Sequence, residues 1–337
     1  MADGESSEAC PEPQPLVHHE KLWFEDGNVV IVTDDCMPFK VHRTILASHS
    51  GVLRDMFTIP QPSYTPEHLY DGCPRVDMQG VSSEDLAVML DMFYNGLPTT
   101  GLRRYLQARS TPTWNTVRVM LTLGNKYDVD KLWKEGIHEL KCTYPTHLHQ
   151  RLEAITGFDC IALDDWLDLI SVVNVTKNLG PEVNWFYLNA LYDCCQVYTK
   201  EILSGLEIDS GVEGPESDKQ KVVLGSEDQV AVLDGRTKLL QVHYKNMGLV
   251  FGADDEVGAR MKCSRKQDCE ALVRHFRFTP VQDRISDTSK YDPLHVHERH
   301  TWFRKCCDRL CEGCRTHYEA MDLQRRQKVL DELERYF

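Results

Sequence analysis

The chain has 337 residues and carries 38 basic against 52 acidic side chains, a net charge of -14. That length suits about two domains, and a hydrophobic share of 42% supplies a core without metals or disulfides being needed merely to fold. A surface this acidic repels phosphate, which argues against nucleic acid or an anionic membrane as the main partner, and no apolar run of about 18 residues exists to span a bilayer.

The N-terminal stretch, residues 1–18, is acidic and carries Pro11, Pro13 and Pro15. It has neither a basic nor an apolar region of the kind a secretion signal needs, and it reads as a disordered tail. The expected location is therefore the cytoplasm or nucleus. The 13 cysteines then read as buried thiols or metal ligands, with disulfides not expected, and the glycosylation pattern Asn174-Val175-Thr176 reads as unused.

Val29-Val30-Ile31-Val32 predicts a strand buried on both faces. Asp34 and Asp35 supply turn chemistry. Phe39 and Val41 alternate with Lys40 and His42 as a second strand. Helical spacing runs from Arg43 to Phe57, interrupted at Ser50-Gly51, which predicts two short helices. Residues 59–72 read as a proline-rich loop, and residues 75–78 as a third strand. Ser82 caps a helix that carries Leu86, Met89, Leu90 and Phe93 and ends at Gly96. Residues 99–111 read as a polar insertion. Two more helices follow, at 113–127 and 129–140.

Residues 146–205 keep helical periodicity. The composition then changes: Glu207 to Asp228 holds seven acids and two lysines, and 206–228 is predicted as an acidic flexible linker or loop. The last block, 229–337, shows helical stretches at about 230–250, 269–278 and 302–337.

Several of these segments stand in a telling order: Phe39-Lys40-Val41-His42-Arg43-Thr44-Ile45-Leu46-Ala47-Ser48-His49-Ser50, then Leu53-Arg54-Asp55-Met56-Phe57, Met92-Phe93-Tyr94-Asn95-Gly96, and Leu123-Gly124-Asn125-Lys126-Tyr127-Asp128-Val129. Residues 19–145 resemble the BTB/POZ domain. More narrowly, the opening His19-Glu20-Lys21-Leu22-Trp23-Phe24-Glu25-Asp26-Gly27-Asn28 and the tail resemble a large group of fungal BTB-domain proteins, in which a helical region with paired cysteines follows. The resemblance implies an α+β fold, a BTB/POZ domain of small sheet and surrounding helices followed by a mainly α-helical C-terminal region. It also implies dimerisation or scaffolding in place of catalysis. Some members recruit a cullin through a hydrophobic-x-Glu element after the third strand. Here that stretch reads Met78-Gln79-Gly80-Val81-Ser82 and has no Glu.

Other chemistry is thin. His42 has no acid clearly placed beside it in sequence and reads as a residue fixing a helix start. His295, His297 and His300 lack the zinc-protease spacing of two histidines four apart and read as solvated. Leu22, Trp23 and Phe24 form an apolar segment that either covers a dimer partner or packs on its own domain; they are the candidate protein interface.

The sharpest pattern is Cys263-x5-Cys269 followed by Cys311-Glu312-Gly313-Cys314. Two cysteine pairs, one of them a tight Cys-x2-Cys, suit a tetrahedral structural zinc. Against this, Phe303, Cys307, Leu310 and Cys314 fall on one helical stripe, and cysteine also packs as a small apolar residue. Cys194-Cys195 and Cys306-Cys307 are alternative ligands.

The function expected is protein–protein interaction, beginning with a homodimer and extending to an unidentified protein partner, with no nucleic acid and no membrane. The alternatives are a substrate adaptor of a cullin-type ubiquitin ligase and a zinc-dependent hydrolase.

Overall fold

The computed structural model describes residues 18–59, 69–96, 112–154, 161, 163, 166–208, 220–252, 263–285, 290–294 and 301–337. Two compact units divide the chain, Met1–Ile137 and His138–Phe337.

The first unit is built on β1 (Val29–Thr33), β2 (Pro38–Val41), β3 (Leu69–Tyr70) and β4 (Cys73–Met78), in the order β2-β1-β4-β3. β1 is antiparallel to β2, with Ile31 opposite Phe39, and parallel to β4, with Ile31 opposite Val76. Every residue of β1 is buried, as expected of an unbroken β-branched run in a central strand. β3 falls inside the segment expected to be a loop: Leu69 and Tyr70 pair with Pro74 and Cys73 across a turn. Two residues are too short for an alternation to register in sequence.

Helices α1 (Arg43–His49), α2 (Gly51–Thr58), α3 (Ser83–Asn95) and α4 (Trp114–Lys126) follow, and α5 (Asp130–Thr143) runs on past the boundary at Ile137. Leu46, Leu53, Met89, Leu90 and Met120 from these helices close over Ile31 and Phe39 in one core.

The recurring polar residues of this segment are its clamps. Ser50 caps α2 by accepting from the Leu53 N–H at 3.0 Å, and its hydroxyl donates to the Tyr127 carbonyl at 2.5 Å. The Asp34 carboxylate accepts from the Gly80 N–H at 2.6 Å, and Asp35 accepts from the Thr33 hydroxyl at 2.5 Å and the Ser83 N–H at 3.1 Å. The two acids predicted only to turn the chain thus also anchor the start of α3. A Cβ on Gly124 would sit 2.9 Å from the Trp133 nitrogen, so only glycine lets α4 and α5 approach there.

The second unit is mostly helical. It comprises α6 (Leu148–Ala154), α7 (Trp166–Asn178), α8 (Asn184–Cys194), α9 (Thr199–Ser204), α10 (Ser226–Leu249), α11 (Lys266–Phe278), α12 (Thr301–Cys307) and α13 (Glu312–Asp331). A short hairpin joins β5 (Leu206–Ile208) to β6 (Gln220–Val222), with Glu207 opposite Lys221.

The linker expected at 206–228 is corrected at both ends: its first residues are a strand, and its last belong to α10. Asp228 is buried because the Lys177 ammonium at 3.0 Å and the Tyr187 hydroxyl at 2.6 Å both reach it. Composition marked this segment as solvated, but partners from distant elements hold its acid inside. Residues 209–219 between the strands lie outside the described residues, as do the predicted tail over 1–17, the insertion at 99–111 and the histidines 295, 297 and 300.

A second correction concerns the final stretch, expected as one helix from 302 to 337. It breaks after Cys307, where the Arg309 and Leu310 N–H groups donate to the Cys306 and Cys307 carbonyls, and restarts at Glu312. The single stripe through Phe303, Cys307, Leu310 and Cys314 therefore does not exist as one helix face.

Candidate functional site

Four sulfurs meet at the break between α12 and α13. Cys263 lies just ahead of α11 and Cys269 in that helix's first turn; Cys311 is the N-cap of α13 and Cys314 stands in its first turn. The sulfurs of Cys263, Cys269, Cys311 and Cys314 all lie within 4.8 Å of one another, and Cys263 and Cys311 are 3.8 Å apart. The Cys311 N–H donates to the Cys269 sulfur at 3.4 Å. The Arg265 guanidinium donates to the Arg309 carbonyl at 3.2 Å, tying the two cysteine-bearing loops together.

Burial opposes a charge on Cys311, yet hydrogen bonds from Cys314 and Ser264 bring its thiol down to about 5. Burial pushes the Cys314 and Cys269 thiols up. The donor set is all-thiolate and four in number, the complement that fills a tetrahedral ion.

Among the described residues, the other cysteines join no such group. Cys306 and Cys307 are buried among Phe251, Phe276 and Phe303, and burial raises the Cys306 thiol to about 11. Cys194 and Cys195 are buried at the end of α8, where Cys195 donates to the Val232 carbonyl at 3.5 Å. These four are packing residues. Ten described cysteines are in no disulfide, but Cys36 is disulfide-bonded, which corrects the expectation of none. It occupies the half-buried β1–β2 turn at φ 59°.

The second candidate is the segment ahead of β1. Leu22 is buried in its own domain's core, so its side chain is not offered to a partner. Trp23 and Phe24 are half-buried. The Phe24 N–H donates to the Lys40 carbonyl at 2.9 Å, laying the segment along the edge strand β2, and the Phe24 ring stacks on Tyr94 at 4.6 Å. Trp23 stacks on His18 at 4.5 Å and meets Tyr70 edge-on.

His42 has partners that its sequence neighbourhood did not reveal. Its ring lies 2.9 Å from the Tyr94 hydroxyl and 3.2 Å from the exposed Asp26 carboxylate, and its backbone N–H donates to the same Tyr94 oxygen. Asp26 sits sixteen positions upstream, beyond any helical or strand spacing, so only the closed fold joins them. The set latches the N-terminal segment to the start of α1 and the end of α3.

Residues 23–143 match the BTB/POZ domain family. The sheet, helices and clamps described above are this domain, and a mostly helical C-terminal region follows it. The BTB/POZ domain is a protein-interaction module, not a catalytic one. The chain matches none of the curated proteins. Among the described residues, no helix is long and apolar enough to cross a membrane.

Proposed function

We propose that the chain is an assembly protein: two copies pair through the BTB domain, and the helical unit binds a further protein partner. The observation that carries this reading is the match of residues 23–143 to an interaction domain, with the half-buried aromatics Trp23 and Phe24 held along its edge strand. Trp is the side chain most able to anchor an interface, because it buries a large rigid surface at small entropic cost. The sequence likeness of the N-terminal segment and tail to fungal BTB proteins fits the same role, and an acidic chain fits the cytoplasm or nucleus.

Light scattering on the full chain tests the pairing. A dimer gives twice the 38.8 kDa chain mass, and Trp23→Ala weakens it at least tenfold, about 1.4 kcal/mol or more. A monomer at tens of micromolar overturns the reading. The alternative is a cullin adaptor, for which Met78–Ser82 offers no Glu; a cullin pull-down separates it from scaffolding. A zinc hydrolase would need an open metal position, which four thiolates do not leave.

A further inference from the structure

We propose that Cys263, Cys269, Cys311 and Cys314 hold one structural zinc ion that pins the N-termini of α11 and α13 together. The geometry argues for it first. With Zn–S bonds of about 2.3 Å, a tetrahedron of sulfurs has edges of about 3.8 Å, and the Cys263–Cys311 separation is 3.8 Å, with all four sulfurs inside 4.8 Å. None of those four is in a disulfide, and their spacing is far wider than the roughly 2 Å of a sulfur–sulfur bond. Four thiols drawn together from two loops about forty residues apart are not what apolar packing alone produces: Cys306 and Cys307, in the same hydrophobic cluster, stay outside the group.

Electrostatics argues for it second. Four thiolates around a divalent cation leave a net charge of two minus. That charge is met by two helix N-termini, since Cys311 caps α13 and Cys269 lies in the first turn of α11, and helix N-termini favour negative charge. The Cys311 N–H already points at the Cys269 sulfur, the kind of outer hydrogen bond that steadies a metal-bound thiolate. Arg265 and Arg309, on the same loops as Cys263 and Cys311, add two positive charges. Soft thiolates and tetrahedral geometry select zinc over hard cations, and a shell filled by protein is a structural site, not a catalytic one.

The test uses the full chain purified under reducing conditions without added metal. Native mass spectrometry and elemental analysis are expected to find one zinc per chain, retained in Cys307→Ala and lost in Cys314→Ala. Because Cys314→Ala can fail to fold, two milder readouts accompany it. Cys263→His, which keeps a fourth ligand, is expected to retain zinc where Cys263→Ala loses it. Cobalt added after chelation is expected to give the visible absorption of a tetrahedral tetrathiolate, which zinc then abolishes. A strong chelator is expected to lower the melting transition of the helical unit. No bound metal together with no cobalt spectrum overturns the proposal, as does iron in place of zinc, or zinc held equally by Cys314→Ala and the intact chain. A monomeric chain that holds zinc would sink the dimer reading alone, and a metal-free dimer would sink the zinc alone.

Discussion

His49 shows how one side chain couples stability to pH. Its ring stacks on Phe93 at 4.6 Å and nearly parallel. Burial, then the charge of Lys131, holds its imidazole below the usual value of 6.5. The unfolded chain therefore takes up a proton near 6.5 that the folded domain resists, so the unfolded state binds more protons in that window. Stability from this group is present above pH 6.5 and is lost as pH falls below it. Urea denaturation of the full chain at about pH 7.5 and about pH 5 is expected to show a smaller loss in His49→Gln than in the intact chain. An identical loss in both would show that His49 does not contribute the slope.

At the scale of the element, α11 has partners at both ends. Its first turn presents Cys269 to the sulfur cluster. Beyond its last turn, the buried Arg284 guanidinium donates to the carbonyls of Phe276 at 3.2 Å, Arg277 at 2.8 Å and Thr279 at 2.6 Å. It reaches Met247 of α10 at 2.6 Å as well, and lies over the Trp302 ring at 5.0 Å. One planar fork thus satisfies C-terminal carbonyls that a helix leaves orphaned. Arg284→Leu removes this donor from four carbonyls, and it is expected to cost about 2–4 kcal/mol, read as a lower urea midpoint with unchanged slope. Arg284→Lys is expected to recover little, because an ammonium cannot span the same acceptors. Full recovery by lysine would show that charge alone matters here.

For the whole molecule, the buried polar network around Arg151 argues that the second unit is one body. Arg151 lies against the Tyr144 and Tyr192 rings, each at 5.4 Å, donates to Asn189, and pairs with Asp193 at 2.7 Å. The Tyr192 hydroxyl in turn donates to Asp292 and accepts from the Leu294 N–H at 3.2 Å. Residues on both sides of 206–228 are joined in this way, and Arg236 of α10 adds a donation to the Cys195 carbonyl at 2.8 Å. Arg151→Met removes the buried guanidinium that pairs with Asp193 and is expected to cost about 3–5 kcal/mol. Hydrogen exchange should rise together in α7, α8 and α10. Acceleration confined to α8 would instead show that the segments flanking 206–228 unfold separately.

The sequence by itself determined the first unit almost element by element. The β-branched run of β1, the Ser50 and Ser82 caps and the stop at Gly96 are local signals, written in adjacent residues and fixed by backbone and side-chain preference. The ordered motifs Phe39–Ser50, Met92–Gly96 and Leu123–Val129 carried the BTB/POZ fold, because its clamps use particular side chains: Ser50 bonds Tyr127, and Tyr94 bonds His42. The cysteine spacing also named the four residues that converge. Tertiary structure alone decided the rest. It broke the last helix at Asp308–Leu310 and brought Cys311 and Cys314 beside Cys263 and Cys269. It gave His42 an acid from sixteen residues away and buried Leu22 against its own core. It drew Asp228 inside a segment whose composition reads as solvated. In each case the deciding partner is remote in the chain, and periodicity and propensity carry no information about contacts that exist only once the chain has closed.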